Sequence, residues 1–228
     1  MKLSIAISAL ALTTGIAFGG ATVTHEDSFL AFGAEMPYGD GNANSNFTIA
    51  RNTDAFGALE IGLKAKERFI GNLPTDGAGR YFANAGSPDN DGLSSWNIDY
   101  AFALSQTAIP SNYNLVLSID FDSGYGTQSW VTLNITNALA AGPFTPVGGD
   151  SQNLGFGFWG TDIPFVIDAS GHITFDADAA GEYDVKLTLH DSAGAFLAES
   201  AIVVEVVPAP GPIALLGLGG LIATRRRR

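Results

Sequence analysis

The 228-residue sequence has no cysteine, only three histidines, and few cations: eleven lysines and arginines against twenty-three acidic residues. Without cysteine there can be no disulfide framework, so a folded body must be held together by burial of apolar surface. Attachment through a lipidated cysteine is excluded for the same reason. His25, His172 and His190 fall in no metal-ligand spacing such as His-x-x-x-His or His-Glu-x-x-His. No Gly-x-Ser-x-Gly elbow, phosphate-binding loop or dinucleotide fingerprint occurs, so no catalytic residue is assigned and no enzyme activity is expected. The cations gather at the chain ends. With Lys2 and Arg225 to Arg228 set aside, six basic residues remain, and the central part of the chain carries a net charge near −17. Such a surface repels phosphates, which argues against nucleic acid as a partner.

A helical apolar period is also missing outside the termini, and period-two alternation takes its place. Trp96, Ile98, Tyr100, Phe102 and Leu104 alternate with other residues, as do Leu115, Leu117, Ile119 and Phe121. Val131, Leu133 and Ile135 repeat the pattern, and Tyr183, Val185, Leu187 and Leu189 repeat it again. Ala201 to Val207 is an almost continuous apolar strand. Further strands are expected at Phe47–Arg51, Leu59–Ala65, Arg80–Asn84, Gly155–Trp159 and Gly171–Phe175, the last as a hairpin after the turn Asp168-Ala169-Ser170-Gly171. Ala141 to Gly149 is expected to be a loop. Short strands separated by Gly, Asn, Asp and Pro turns predict an all-β fold, an antiparallel β-sandwich of Ig-like or jelly-roll-like type. Fifteen Phe, six Tyr and three Trp supply enough bulk to fill the space between two sheets.

Acid-rich turns are the one constellation suggesting a ligand. Asp89-Asn90-Asp91-Gly92 places two carboxylates two residues apart, as do Asp120 and Asp122, and Asp40 to Asn46 alternates oxygen donors in a similar way. Calcium takes six to eight oxygens, and Asp89 and Asp91 are the candidate pair for it. The competing reading is that Asp, Asn and Gly are there because they favour turns. No other cofactor is expected. Trp159, within Gly155-Phe156-Gly157-Phe158-Trp159-Gly160, is the candidate for stacking on a sugar ring. Trp96 and Trp130 sit in alternating runs and read as core residues.

The two ends carry addresses. Met1-Lys2 followed by the apolar Leu3 to Leu12 and small residues up to Ala21 has the form of a secretory signal peptide. Cleavage after Gly19 or after Ala21 satisfies the small-x-small rule; the cut after Ala21, which gives a leader of residues 1–21, leaves Thr22-Val23 to start the mature chain. A β-sandwich domain is expected over residues 22–206. At the other end, Val207-Pro208-Ala209-Pro210-Gly211-Pro212 precedes the apolar run Ile213 to Ala223 and then Arg225-Arg226-Arg227-Arg228. Prolines stop a strand and are tolerated at a helix start. The expected single membrane helix therefore follows the strand, with membrane contact over residues 208–224. The arginines resist transfer and serve as the membrane stop.

This tripartite order, with Val207, Pro208 and Pro210, then Ile213 to Ala223, then Arg225 to Arg228, resembles the C-terminal sorting signal of PEP-CTERM proteins of exopolysaccharide-producing Gram-negative bacteria. Ala209 replaces the Glu of the usual Val-Pro-Glu-Pro, a variant of Val-Pro-x-Pro-Gly type. The resemblance covers residues 207–228. It implies the secretion machinery and an exosortase-type sorting enzyme as partners, an inner-membrane intermediate, and a destination at the cell surface or outside the cell, where exopolysaccharide is a possible partner. A carbohydrate-binding module of that matrix is the alternative role. The stretch around Ala180-Gly181-Glu182-Tyr183 resembles the last hairpin of Ig-like bacterial surface domains.

Overall fold

Alternating strands hide one face each, and two sheets of them close on one another. The structure, a computed structural model, describes residues 20–38, 42–105, 110–126, 129–139, 145–161, 163–168 and 175–208. The strands are β1 (Thr22–Asp27), β2 (Phe47–Asp54), β3 (Gly57–Glu67), β4 (Gly71–Asn72), β5 (Arg80–Asn84), β6 (Trp96–Ala103), β7 (Tyr113–Asp120), β8 (Trp130–Asn134), β9 (Val147–Gln152), β10 (Val166–Asp168), β11 (Gly181–Asp191) and β12 (Phe196–Val207), with one short helix, α1 (Ile135–Leu139). The first sheet has the order β1-β2-β3-β6-β9, with β4 added to β3, and the second the order β10-β8-β7-β11-β12-β5. The all-β sandwich expected from the alternation is what the chain forms.

The alternating residues meet between the sheets. Leu59, Ile61 and Leu63 of β3 and Trp96, Ile98 and Phe102 of β6 face Leu115, Leu117, Val185, Leu187, Ile202 and Val204 of the second sheet. Trp96 and Tyr183 bring their rings to 5.5 Å across the gap. Each fully buried side chain of this size contributes about 1.5–3 kcal/mol, which makes cross-links dispensable.

Four expectations are corrected. Strand pairing is not antiparallel throughout, because β5 runs parallel to β12, with Val203 opposite Arg80 and Val207 opposite Asn84. The expected strand Gly155–Trp159 is a tight turn, with 3-10 geometry over Gly157–Gly160. Asn153 makes that turn: its carboxamide oxygen accepts from Gly155 N at 2.9 Å and its carbonyl from Phe156 N at 3.1 Å. A Cβ on Gly155 would lie 2.4 Å from the Gly92 carbonyl oxygen, so the glycine serves close approach and not strand periodicity. The expected loop ending at Gly149 already contains the start of β9, a polar edge strand paired with β6. A Cβ on Gly149 would meet the Tyr38 ring at 2.3 Å, which is why this strand carries glycine. Finally, Ile135 starts α1 and does not extend β8. The proposed turn and strand at 169–174 lie outside the described residues, as do the leader up to Gly19 and the tail from Ala209.

Segments 28–38 and 42–46 lie across the outer face of the first sheet and bury a second apolar cluster of Phe29, Met36, Phe47, Ile49, Ala101 and Ala103. Asn44 ties this strap together, accepting from Phe29 N at 2.8 Å and donating to Phe29 O at 2.9 Å and Gly33 O at 2.8 Å. The first sheet is thus covered on both faces.

Truncating Leu187 to alanine in the centre of β11 should cost about 2–5 kcal/mol of unfolding free energy in urea titration, whereas the exposed Ile167→Ala should stay within about 0.5 kcal/mol of the parent.

Candidate functional site

Strand β12 delivers the chain to one end of the sandwich, the end that also holds the Asp89-Asp91 turn. Gly181 pairs with Val206, and Ala85 N donates to Val207 O at 2.8 Å as the last rung. Val207, first residue of the expected sorting motif, thus belongs to the ladder, while Pro208 is exposed and cannot extend it. Ala209, Pro210, Gly211 and Arg225 to Arg228 lie outside the described residues.

Beside this exit sits the Asp89-Asp91 turn. The Arg68 guanidinium lies 3.1 Å from Asp91 Oδ2 and 3.5 Å from Asp89 Oδ2. The other Asp91 oxygen accepts from Leu93 N at 2.9 Å and Ser87 Oγ at 3.1 Å. These bonds, the one to the Leu93 backbone foremost, hold the Asp91 carboxyl below its ordinary value. A guanidinium occupies the side of the turn where both carboxylates converge, and among the described residues no three acidic or histidine side chains gather as a metal needs. The same turn-forming use recurs at Asp120, whose Oδ1 accepts from Asp122 N and Ser129 N. The residues present do not fit calcium.

Trp159 is 2% exposed. It packs against Phe121 and Phe158 and donates Nε1–H to Asn153 O at 3.0 Å. That removes the stacking face expected of it. Trp96 is buried as expected, but Trp130 is not a core residue: Val131 and Leu133 point inward from β8, and Trp130 is half-buried on the other face with Lys186 Nζ 4.7 Å from its ring centre.

Sequence reasoning missed a buried charge cluster under the strap. Lys64 and Asp99 are cross-strand partners on the outer face of β3 and β6, and both are 0% exposed. Lys64 Nζ donates to Ala43 O at 2.6 Å, lies 3.9 Å from Asp99 Oδ2 and sits 4.6 Å over the Phe47 ring. Asp99 also accepts from Asn42 Nδ2 at 2.7 Å and pairs with Lys66 Nζ at 3.3 Å. Burial pushes the Lys64 ammonium down to about 8 although Asp99 opposes the shift. Alternation along β3 assigns Lys64 to a wet face; only the strap, contributed from elsewhere in the chain, turns that face inward.

A groove of about 870 Å³ opens on the first sheet toward the opposite end and is lined by Leu30, Arg51, Glu60, Ser105 and Val147 among others, with no aromatic side chain among the described residues. Among the described lining residues the cation is Arg51, which bonds Glu60 and Asp27 at 2.6 Å each and Ser28 O at 2.7 Å. Compared with known proteins, the chain matches no family model, no curated protein and no solved structure.

Lys64 makes a pH signature. Its folded pKa, about 8, lies below its ordinary 10.5, so between these values the unfolded chain binds more protons and stability rises with pH. Above pH 10 the sign reverses, because burial holds the hydroxyls of Tyr38, Tyr81 and Tyr100 protonated far above their ordinary 10.0. The urea midpoint should climb from pH 8 to 10 and then fall; Lys64→Met should abolish the climb and keep the fall.

Proposed function

We propose that the chain is the precursor of an exported, non-catalytic β-sandwich protein of a Gram-negative cell surface or surrounding exopolysaccharide, held transiently in the inner membrane by its C-terminal tail and released by an exosortase-type enzyme. The observation that carries this reading is the junction at Val207-Pro208. The ladder of β12 closes at Val207, Pro208 is exposed, and in the sequence the rest of the motif, the apolar run and the arginines follow. The strand pairs and both apolar clusters described above are built by residues up to Val207. A disposable address needs that arrangement.

The leader end supports one of the two cleavage points. Ala21 is 2% exposed and belongs to the main core, and its removal would open a small void there. We therefore place the cut after Gly19, so that Gly20-Ala21 stay with the folded body. Among the described residues no helix is long and apolar enough to cross a membrane; both segments proposed to enter it lie outside them. Trp159 supplies no support for the carbohydrate-binding alternative, and among the described residues the groove at Arg51 offers a sugar no aromatic platform.

Intact-mass spectrometry of protein recovered outside the cell should give a chain starting at Gly20 and ending within Val207 to Pro210. Replacing Arg225 to Arg228 by glutamine should leave the tail attached or misplace the protein; the same mass and fractionation as the parent would refute the sorting role.

A further inference from the structure

Two large apolar side chains stand in solvent next to one another at the tip of the β3–β4 turn. Phe69 is 87% and Ile70 76% exposed, and Phe69 has φ +62°, a backbone setting that favours glycine or asparagine. One face of the Phe69 ring meets the Arg68 guanidinium, 4.8 Å from its centre, and the rest of the side chain is left in solvent. Tyr125, 70% exposed, crowns the β7–β8 turn.

Both turns lie at the end of the sandwich from which the tail departs. A chain of backbone bonds runs from Val207 O to Ala85 N, from Gly86 O to Ser95 N, and from Ser95 O to Arg68 N, which joins the last rung of β12 to the residue before Phe69. Gly181, the partner of Val206, is followed by Glu182, whose N–H donates to Ser123 O at 3.1 Å, which fixes the Tyr125 turn at the same end.

The tail's length then sets what these side chains meet. The eleven residues Ile213 to Ala223 span about 16 Å as a helix, against a hydrocarbon core of about 30 Å. Only five residues, Pro208 to Pro212, separate them from the ladder, a reach of about 17 Å when extended. A run too short for the bilayer draws this linker into the interface and pulls the exit end of the body onto the lipid.

On the reading of the tail given above, we infer that Phe69, Ile70 and Tyr125 form a docking face for the lipid surface into which the tail inserts. Arg68, the cation beside Phe69, is paired with Asp89 and Asp91, and Asp122, Asp176 and Asp178 stand in the turns joined to the same end through Ser123 O and Ala177 O, so the local charge is net acidic and the surface it fits is a neutral, zwitterionic one. An aromatic hydroxyl and two apolar tips suit the headgroup region.

The cysteine-free chain allows single-thiol labelling with an environment-sensitive dye. The exported chain, tail intact, is reconstituted in phosphatidylethanolamine–phosphatidylcholine vesicles containing headgroup-level spin-labelled lipid, as Phe69→Cys, Ile70→Cys and Tyr125→Cys. Leu30→Cys, 82% exposed away from the exit end, is the control, and Leu216→Cys reports on the tail. All four body sites are exposed, so parent-like urea midpoints establish folding. Expected are a blue shift and loss of emission at 69, 70 and 125, loss at 216, and no change at 30. Quenching at 216 with 69, 70 and 125 behaving like 30 overturns the docking face and leaves the tail reading standing. No quenching at 216 overturns both. A blue shift at 69 without lipid quenching, growing with protein concentration, assigns the face to a second copy of the chain and overturns the lipid assignment.

Discussion

A single missing backbone hydrogen, at Pro208, sets the boundary on which the organisation of this protein depends. Strand β12 is bonded on both sides, antiparallel to β11 and parallel to β5, and it packs across β2 and β3 of the facing sheet. Such a strand would continue as long as its residues could donate. Val207 still takes part, its carbonyl receiving Ala85 N–H, and the next residue has no donor. The point at which the ladder stops therefore also decides at which end of the sandwich the tail emerges and how little chain lies between body and tail.

The rest of the body is arranged so that this strand can be central without covalent help. Two apolar layers, one between the sheets and one under the strap, hold the first sheet from both faces. Covering the outer face required burying Lys64 and Asp99, a step that is costly unless each charge finds partners. Asn42, Ala43, Lys66 and the Phe47 ring supply them. Coulomb attraction from Asp99 offsets part of the desolvation, and burial still leaves the Lys64 ammonium below its ordinary value. Arg51 secures the strap's other end through Asp27, Ser28 and Glu60, with Glu60 Oε2 also accepting Leu30 N at 3.0 Å.

What the sequence made legible follows from the range of the interactions concerned. Strands β3, β6, β7, β11 and most of β12 were readable because alternation is local and each buries a face in the common core. Arg80–Asn84 was recognised as a strand, but its parallel pairing with β12 was not, since register between distant segments leaves no mark in either. β9 escaped because an edge strand crossed by Tyr38 needs glycine, and Val147-Gly148-Gly149-Asp150 reads as a turn. The Gly155–Gly160 segment failed in the opposite sense: its period-two aromatics look like a strand, while Asn153 folds them into a turn. At the candidate site, the motif around Val207 was visible from composition alone. The Arg68 partner of Asp89 and Asp91, the burial of Trp159 and the exposure of Phe69 all depend on contacts between segments far apart in sequence.

Charge and tail length together fix how strong any lipid contact of the body can be. Acidic side chains around the exit end rule out attraction to anionic headgroups, so the contact would rest on a few apolar tips, each worth about 1.5–3 kcal/mol when fully buried and less at an interface. That is too little to hold a free protein on a membrane. It becomes effective only while the tail keeps the tips at high local concentration beside the lipid, because tethering converts a weak encounter into an intramolecular one. On the proposed reading, cutting near Pro208 removes the anchor and the tether at once, and the acidic body then leaves the surface without any change in its own fold. On that reading the same short linker that would bring the exit end down to the bilayer also makes its release depend on one bond.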